Sequence, residues 1–179
     1  VGATRDVTFT YTATDNDGQV SAEQTVTITV TGTNDAPVAV DDAVGTTENA
    51  VLNSNVPAAS DVDGTIASYA LGGTTVAEGA LTFNADGSYS FNPGTDFDDL
   101  AVGATRDVTF TYTATDNDGQ VSAEQTVTIT VTGTNDAPVA VDDAAGTTEN
   151  AVLNSNVPAA TDVDGTVASY ALGGTNVAQ

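Results

Sequence analysis

The sequence predicts an all-β chain of β-sandwich domains, about seven strands each, set end to end. Three observations predict it. Apolar residues alternate with Thr, turn signals close each alternating run, and the chain repeats itself at domain length. The run over 108–115 places Val108, Phe110, Tyr112 and Ala114 at every second position with Thr between them, and 127–132 does the same with Val127, Ile129 and Val131. A period of two is a strand with one face buried and the other wet. Thr is abundant and Leu, Lys and Glu are scarce, which also favours strands over helices.

The other elements follow in chain order. Short strands are expected over 38–41, near 50–52 and over 65–71. A hairpin joins Ala80–Phe83 to 88–91 through Asn84, Ala85, Asp86 and Gly87, and a second joins the two long runs through Asp116, Asn117, Asp118 and Gly119. Phe83, Tyr89, Phe91, Phe110 and Tyr112 are the expected aromatic core.

Residues 1–78 align with 102–179 without a gap, a period of 101, and differ at only five pairs. That period is too long for a solenoid unit and suits a self-contained domain. The linker-like Thr-Gly-Thr-Asn-Asp-Ala-Pro occurs at 31–37 and again at 132–138. The expected division is therefore a C-terminal fragment of one repeat (1–36), a complete repeat (37–137) and an N-terminal fragment of the next (138–179). Fragments of that size bury too little to fold alone.

Charge narrows the function. Twenty-five acids face two Arg, for a net charge of −23, and there is no Cys, His, Met or Trp. Such a chain repels nucleic acid and anionic lipid, and no apolar run approaches a membrane span, so neither nucleic acid nor direct membrane insertion is expected. No disulfide can staple the fold. Two carboxylates about 5 Å apart repel by roughly 3 kcal/mol at an effective dielectric of about 20. Acids crowded into loops thus ask for metal ions or high salt. Arg5 and Arg106 are expected to form local salt bridges with nearby Asp side chains.

The acids fall in loops. Asn34 and Asp35 lie in the first linker, and Asn135 and Asp136 in the second. Asp41 and Asp42 follow the first linker, as Asp142 and Asp143 follow the second. Glu48 comes next, repeated as Glu149, then Asp61 and Asp63, repeated as Asp162 and Asp164. Asp98 and Asp99 precede the last hairpin, and Asp116 and Asp118 lie in its turn. Hard cations such as calcium take six to eight oxygens from carboxylates, amides and carbonyls, and an Asp-x-Asp-Gly turn offers two carboxylates on one side. All of these residues are candidate metal ligands. Other calcium motifs fail: an EF-hand starting at Asp15 needs Gly where Val20 stands. Asp86 reads as an ordinary turn residue.

This order of motifs resembles the cadherin repeat, and more closely its bacterial relatives, the cadherin-like or VCBS-type repeats of giant RTX adhesins. Asn-Asp-Ala-Pro is similar to the cadherin linker, Thr47-Glu48-Asn49 to its Pro-Glu-Asn, Asp61-Val62-Asp63 to its Asp-x-Asp and Ala114-Thr115-Asp116 to its Ala-x-Asp. Asp98-Asp99 stands where an Asp-Arg-Glu motif belongs and is the weakest match. The resemblance implies an immunoglobulin/cadherin-like sandwich with calcium (Ca2+) as its cofactor, bound between successive domains. Glu48, Asp98, Asp99, Asn135, Asp136, Asp162 and Asp164 would serve one junction. Asn34, Asp35, Asp61, Asp63 and Asp116 would serve the other. Ala36 stands where cadherins often carry a second Asn. The function so implied is a calcium-rigidified extender of a bacterial cell-surface adhesin, projecting a distal binding region. Its partners would be neighbouring repeats of the same chain, and its place extracellular, after export by a type I system. The alternative is a ligand- or carbohydrate-binding β-sandwich module of a secreted protein, although aromatics are only 6% of the chain. Catalysis is not expected, because the acids recur at linkers instead of converging in one cleft.

Overall fold

The computed structural model describes residues 1–174. It contains nine strands and no helix among those residues, so no helix there is long and apolar enough to cross a membrane. An N-terminal antiparallel hairpin, β1 (Thr4–Tyr11) and β2 (Gln24–Thr31), comes first. Seven further strands follow: β3 (Asp42–Thr47), β4 (Leu52–Asn55), β5 (Ile66–Leu71), β6 (Ala80–Phe83), β7 (Ser88–Asn92), β8 (Thr105–Asp116) and β9 (Gln125–Thr132). They form two sheets, ordered β3-β9-β8-β5 and β4-β7-β6. All pairings are antiparallel except β3 with β9, which is parallel.

The alternation explains the layers. Val108, Phe110, Tyr112 and Ala114 of β8 and Val127, Ile129 and Val131 of β9 point inward and are buried, while the intervening Thr residues face outward. The other sheet answers with Tyr89 and Phe91. Edge-on contacts of Phe110 with Tyr89 at 5.1 Å and with Phe83 at 6.0 Å join the two sheets. Each large apolar side chain buried this way contributes about 1.5–3 kcal/mol. Four of the five expected aromatics are fully buried and Phe83 is half-buried. Phe97, absent from that set, is also fully buried and packs edge-on against Phe91 at 6.2 Å.

One element moves. The strand expected over 38–41 begins at Asp42 instead. Val38 makes only an isolated bridge to Ser60, and the chain then turns to lie parallel to β9. The hydroxyl of Tyr112 donates to the carbonyl of Val40 at 2.6 Å and holds this crossing segment to the core.

The hairpin β1–β2 repeats β8–β9 residue for residue and in the same register. Yet Phe9 and Tyr11 are both 52% exposed, whereas Phe110 and Tyr112 are 0% exposed. The difference lies in what covers them: around Phe110 and Tyr112 stand Tyr69, Phe83 and Tyr89 from strands that precede β8. Described residues after 138 contain no strand. They keep local contacts of their counterparts: Val139 bridges Thr161, and the Ala160 amide donates to the Tyr170 hydroxyl as Ala59 does to Tyr69.

Candidate metal centre

Acidic and amide side chains gather at both ends of the complete sandwich, around the two linkers. At the first linker, the turn after β8 supplies Asp116, which is 2% exposed. Its Oδ1 accepts the amides of Asp118 at 2.9 Å and Gln120 at 2.8 Å, and Gly119 closes the turn with φ 91°. Its Oδ2 accepts Nδ2 of Asn34 at 2.7 Å, while Nε2 of Gln120 donates to the Asn34 carbonyl. Burial pushes the Asp116 pKa up, but bonds from Asn34, Gln120 and Asp118 outweigh it and leave the group below the usual carboxylate value. From the other side comes the β4–β5 loop. Asp61 Oδ1 accepts the amides of Asp63 and Gly64, and Asp63 Oδ1 accepts the amide of Asp35 at 3.2 Å. Space at Gly64 is tight: a Cβ there would stand 2.6 Å from Oδ1 of Asn117 and 3.3 Å from Oδ2 of Asp61, so those side chains would have to shift.

At the second linker Glu48, 2% exposed, follows β3. Its Oε1 accepts both the amide of Thr134 at 2.6 Å and the Thr134 hydroxyl at 2.8 Å, and Asn49 braces that hydroxyl from its Nδ2. The amide of Asp136 donates to Asp164 Oδ1 at 3.4 Å. Burial raises the Asp136 pKa, and the neighbouring charges of Glu48, Asp98 and Asp164 raise it further. Asn135 turns its Nδ2 to the Asp136 carbonyl.

The other expected ligands lie elsewhere. Asp41 accepts the amide of Thr126 at the strand edge, and Asp42 accepts that of Ala43. Asp99 is bound in both oxygens by Arg106. Asp118 is exposed and accepts from Asn117. Asp142, Asp143 and Glu149 are exposed in the segment without strands. Arg106 thus has its expected partner, but Arg5 forms no ion pair among the described residues. Asp86 is a turn residue, its pKa lowered by hydrogen bonds from Ser88. Asn49, Thr134 and Gln120 were not among the expected site residues. Asn49 and Thr134 sit inside motifs that drew attention for their acids, while Gln120 carries no signal.

Among the described residues, six buried side-chain polar atoms have no hydrogen-bond partner: Asn34 Oδ1, Glu48 Oε2, Asp61 Oδ2, Tyr89 Oη, Asp136 Oδ2 and Asp162 Oδ1. Five are carboxylate or amide oxygens at the two linkers. Each is an acceptor with nothing to accept, and leaving a buried acceptor unpaired costs about 1–3 kcal/mol, more when it is charged. A hard, oxygen-seeking cation fits this donor set. Among the described residues no three acidic side chains are already gathered into a cage.

The profile of the bacterial cadherin-like domain matches residues 34–133. The chain belongs to this family. The matched span of the cadherin-like domain runs from the first linker through the last strand, so all the buried core residues lie within it. Among solved structures, the chain is similar to the sialic acid binding region of a Streptococcus sanguinis SK1 adhesin bound to 3'sLn, at 14% identity and a TM-score of 0.39. It is also similar to Drosophila N-cadherin EC1-4, at 20% identity and a TM-score of 0.41. These alignments cover 73% and 76% of the cadherin-like chain but only 41% and 35% of the two neighbours. No curated protein matches.

Proposed function

We propose that this chain is part of a calcium-rigidified extender on a bacterial cell-surface adhesin, built from cadherin-like repeats bounded at 1–36, 37–137 and 138–179. The observation that carries the reading is the set of five partnerless buried oxygens at the linkers. Glu48, Asp98, Asn135, Asp136, Asp162 and Asp164 would hold ions at one joint. Asn34, Asp35, Asp61, Asp63 and Asp116 would hold them at the other. Bound calcium supplies positive charge and six to eight coordination positions among groups that otherwise repel.

The protein's own residues set the geometry. The Asp116 turn and the Asp61 turn present the first linker, and Glu48 anchors Thr134 at the start of the second. Because the donors come from both a linker and the domains beside it, ligation stiffens the joint itself. No catalytic role is assigned, and export by a type I system to the cell surface belongs to the same reading. Extracellular modules bind calcium at about 0.1–1 mM, so at about 1 mM free calcium each independent site with a Kd of about 0.1 mM adds about 1.4 kcal/mol.

The test compares thermal melting and solution scattering in millimolar calcium, in EDTA, and in EDTA with high NaCl. Calcium is expected to raise the melting temperature and lengthen the particle. An identical transition and length in EDTA would refute the reading. Full recovery of both by NaCl would reduce the acids to general halophilic solvation.

A further inference from the structure

Arg106 is the only cationic side chain of residues 37–137. A cation close to a calcium site weakens it by repulsion, so its presence calls for a reason. Its Nη2 grips both oxygens of Asp99 at 3.0 and 2.9 Å, and its Nη1 donates to the carbonyl of Asp96 at 3.1 Å. The guanidinium carbon stands 5.5 Å from the ring centre of buried Phe97. Glu78 completes the surround at 3.5 Å. The two arms of the guanidinium thus hold different groups at once, Nη2 the Asp99 carboxylate and Nη1 the Asp96 carbonyl, a fixed planar spacing that the single ammonium of Lys does not reproduce.

These anchors lie on both sides of Asp98. The residues just after it are also fixed: Leu100 donates its amide to the Phe97 carbonyl at 2.9 Å, and the Gly103 amide donates to the carbonyl of Gly133 in the second linker at 3.0 Å. Gly133 approaches so closely that a Cβ would fall 2.4 Å from the Leu100 carbonyl oxygen and 2.5 Å from that of Ala101. The loop therefore lies directly against the linker, and half-buried Asp98 is the member left free of Arg106. Asp98 is also one of the charges that raise the Asp136 pKa.

Resting on the calcium reading above, we propose that Arg106 is a positioning residue for the second joint: it takes Asp99 out of the ligand set by pairing with it and holds the loop so that Asp98 faces the ion. The Arg106–Asp99 pair is locally neutral, so the cation does not repel the metal.

The test is calcium titration calorimetry on the full chain, well below the melting temperature in EDTA. Wild type is compared with Asp98→Asn, Asp99→Asn, Arg106→Lys and the double variant Asp98→Asn/Arg106→Lys. Asp98→Asn is expected to weaken calcium binding tenfold or more. Asp99→Asn and Arg106→Lys are expected to weaken it about tenfold without changing the number of ions. In the Asp98→Asn background Arg106→Lys is expected to have no further effect, because its action runs through Asp98. A role confined to folding would lower the melting temperature in EDTA and leave calcium affinity unchanged, which would overturn the proposal. So would multiplicative effects in the double variant, or loss of a whole ion in Asp99→Asn. A wild-type chain that takes up no calcium would overturn the extender reading as well, and that arm is read separately.

Discussion

Glu48→Gln separates the cost of a buried charge from its use. The Glu48 carboxylate is 2% exposed, with Oε1 satisfied by Thr134 and Oε2 without a partner. It also adds to the negative field on Asp136. Gln keeps the shape and the Oε1 acceptor, removes the charge, and puts an amide where the unpaired oxygen was. In EDTA the variant should therefore melt at or above the wild-type temperature, against the usual direction for a substitution in a buried site. In calcium the sign reverses. Losing a charged ligand should weaken binding at least about tenfold, since even residues that only support a ligand cost that much. With calcium well above both dissociation constants, tenfold corresponds to about 1.4 kcal/mol less stabilisation. For a domain of about 100 residues that is a loss of about 6–10 °C in the calcium-induced rise. Differential scanning fluorimetry in EDTA and in a calcium series measures both quantities. A variant that is less stable in EDTA and keeps the full calcium-induced rise would show that Glu48 is a structural brace, not a ligand.

Three other outcomes are expected. Tyr112→Phe removes the 2.6 Å bond to the Val40 carbonyl that ties the crossing segment to the core, so chemical denaturation should show a loss of about 0.5–1.5 kcal/mol with an unchanged m-value. Gly133→Ala should destabilise by about 1–3 kcal/mol, because its Cβ meets two backbone oxygens; Gly32→Ala, where the nearest atom is 3.6 Å away, serves as the mild control in the same melts. The two perturbed linker carboxylates should give pH effects of opposite sign in EDTA. Asp116, with its folded pKa lowered, adds stability above the ordinary Asp value that is lost as pH falls through its depressed pKa. Asp136, with its folded pKa raised, destabilises at neutral pH, and that penalty is relieved as pH falls through its raised pKa. Stability against pH for Asp116→Asn and Asp136→Asn checks each sign.

Strands were legible where turn chemistry and alternation agreed. Ala80–Phe83 came out with its observed limits because Asn84 and Gly87 mark the turn after it. The first strand of the sandwich was displaced because Val38 and Val40 alternate like a strand while β3, rich in Gly, Ala and Thr, carries little contrast between its faces. Phe97 escaped notice for a related reason: it lies in a loop among Asp residues, where no periodicity points inward. Motif order named Asn34, Asp116 and Glu48, and the structure places Asn34 against Asp116 at the first linker and Glu48 against Thr134 at the second; their role as ligands stays with the proposal. Asp98 and Asp99 were not separable, since adjacent carboxylates look alike until a guanidinium selects one of them. A run of acids beside a linker also does not reveal that Asp41 and Asp42 accept the amides of Thr126 and Ala43 at a strand edge.

The parallel pairing of β3 with β9 has a mechanical consequence. The chain enters β3 beside the β8–β9 turn and leaves β9 at the opposite end of the domain, beside Glu48. Tension on the two linkers pulls these strands in opposite directions along their length. The ladder of six paired residues is then loaded in shear, so its bonds share the load and must rupture together instead of unzipping singly. A domain pulled apart by its two linkers would meet its greatest resistance at this first-to-last seam.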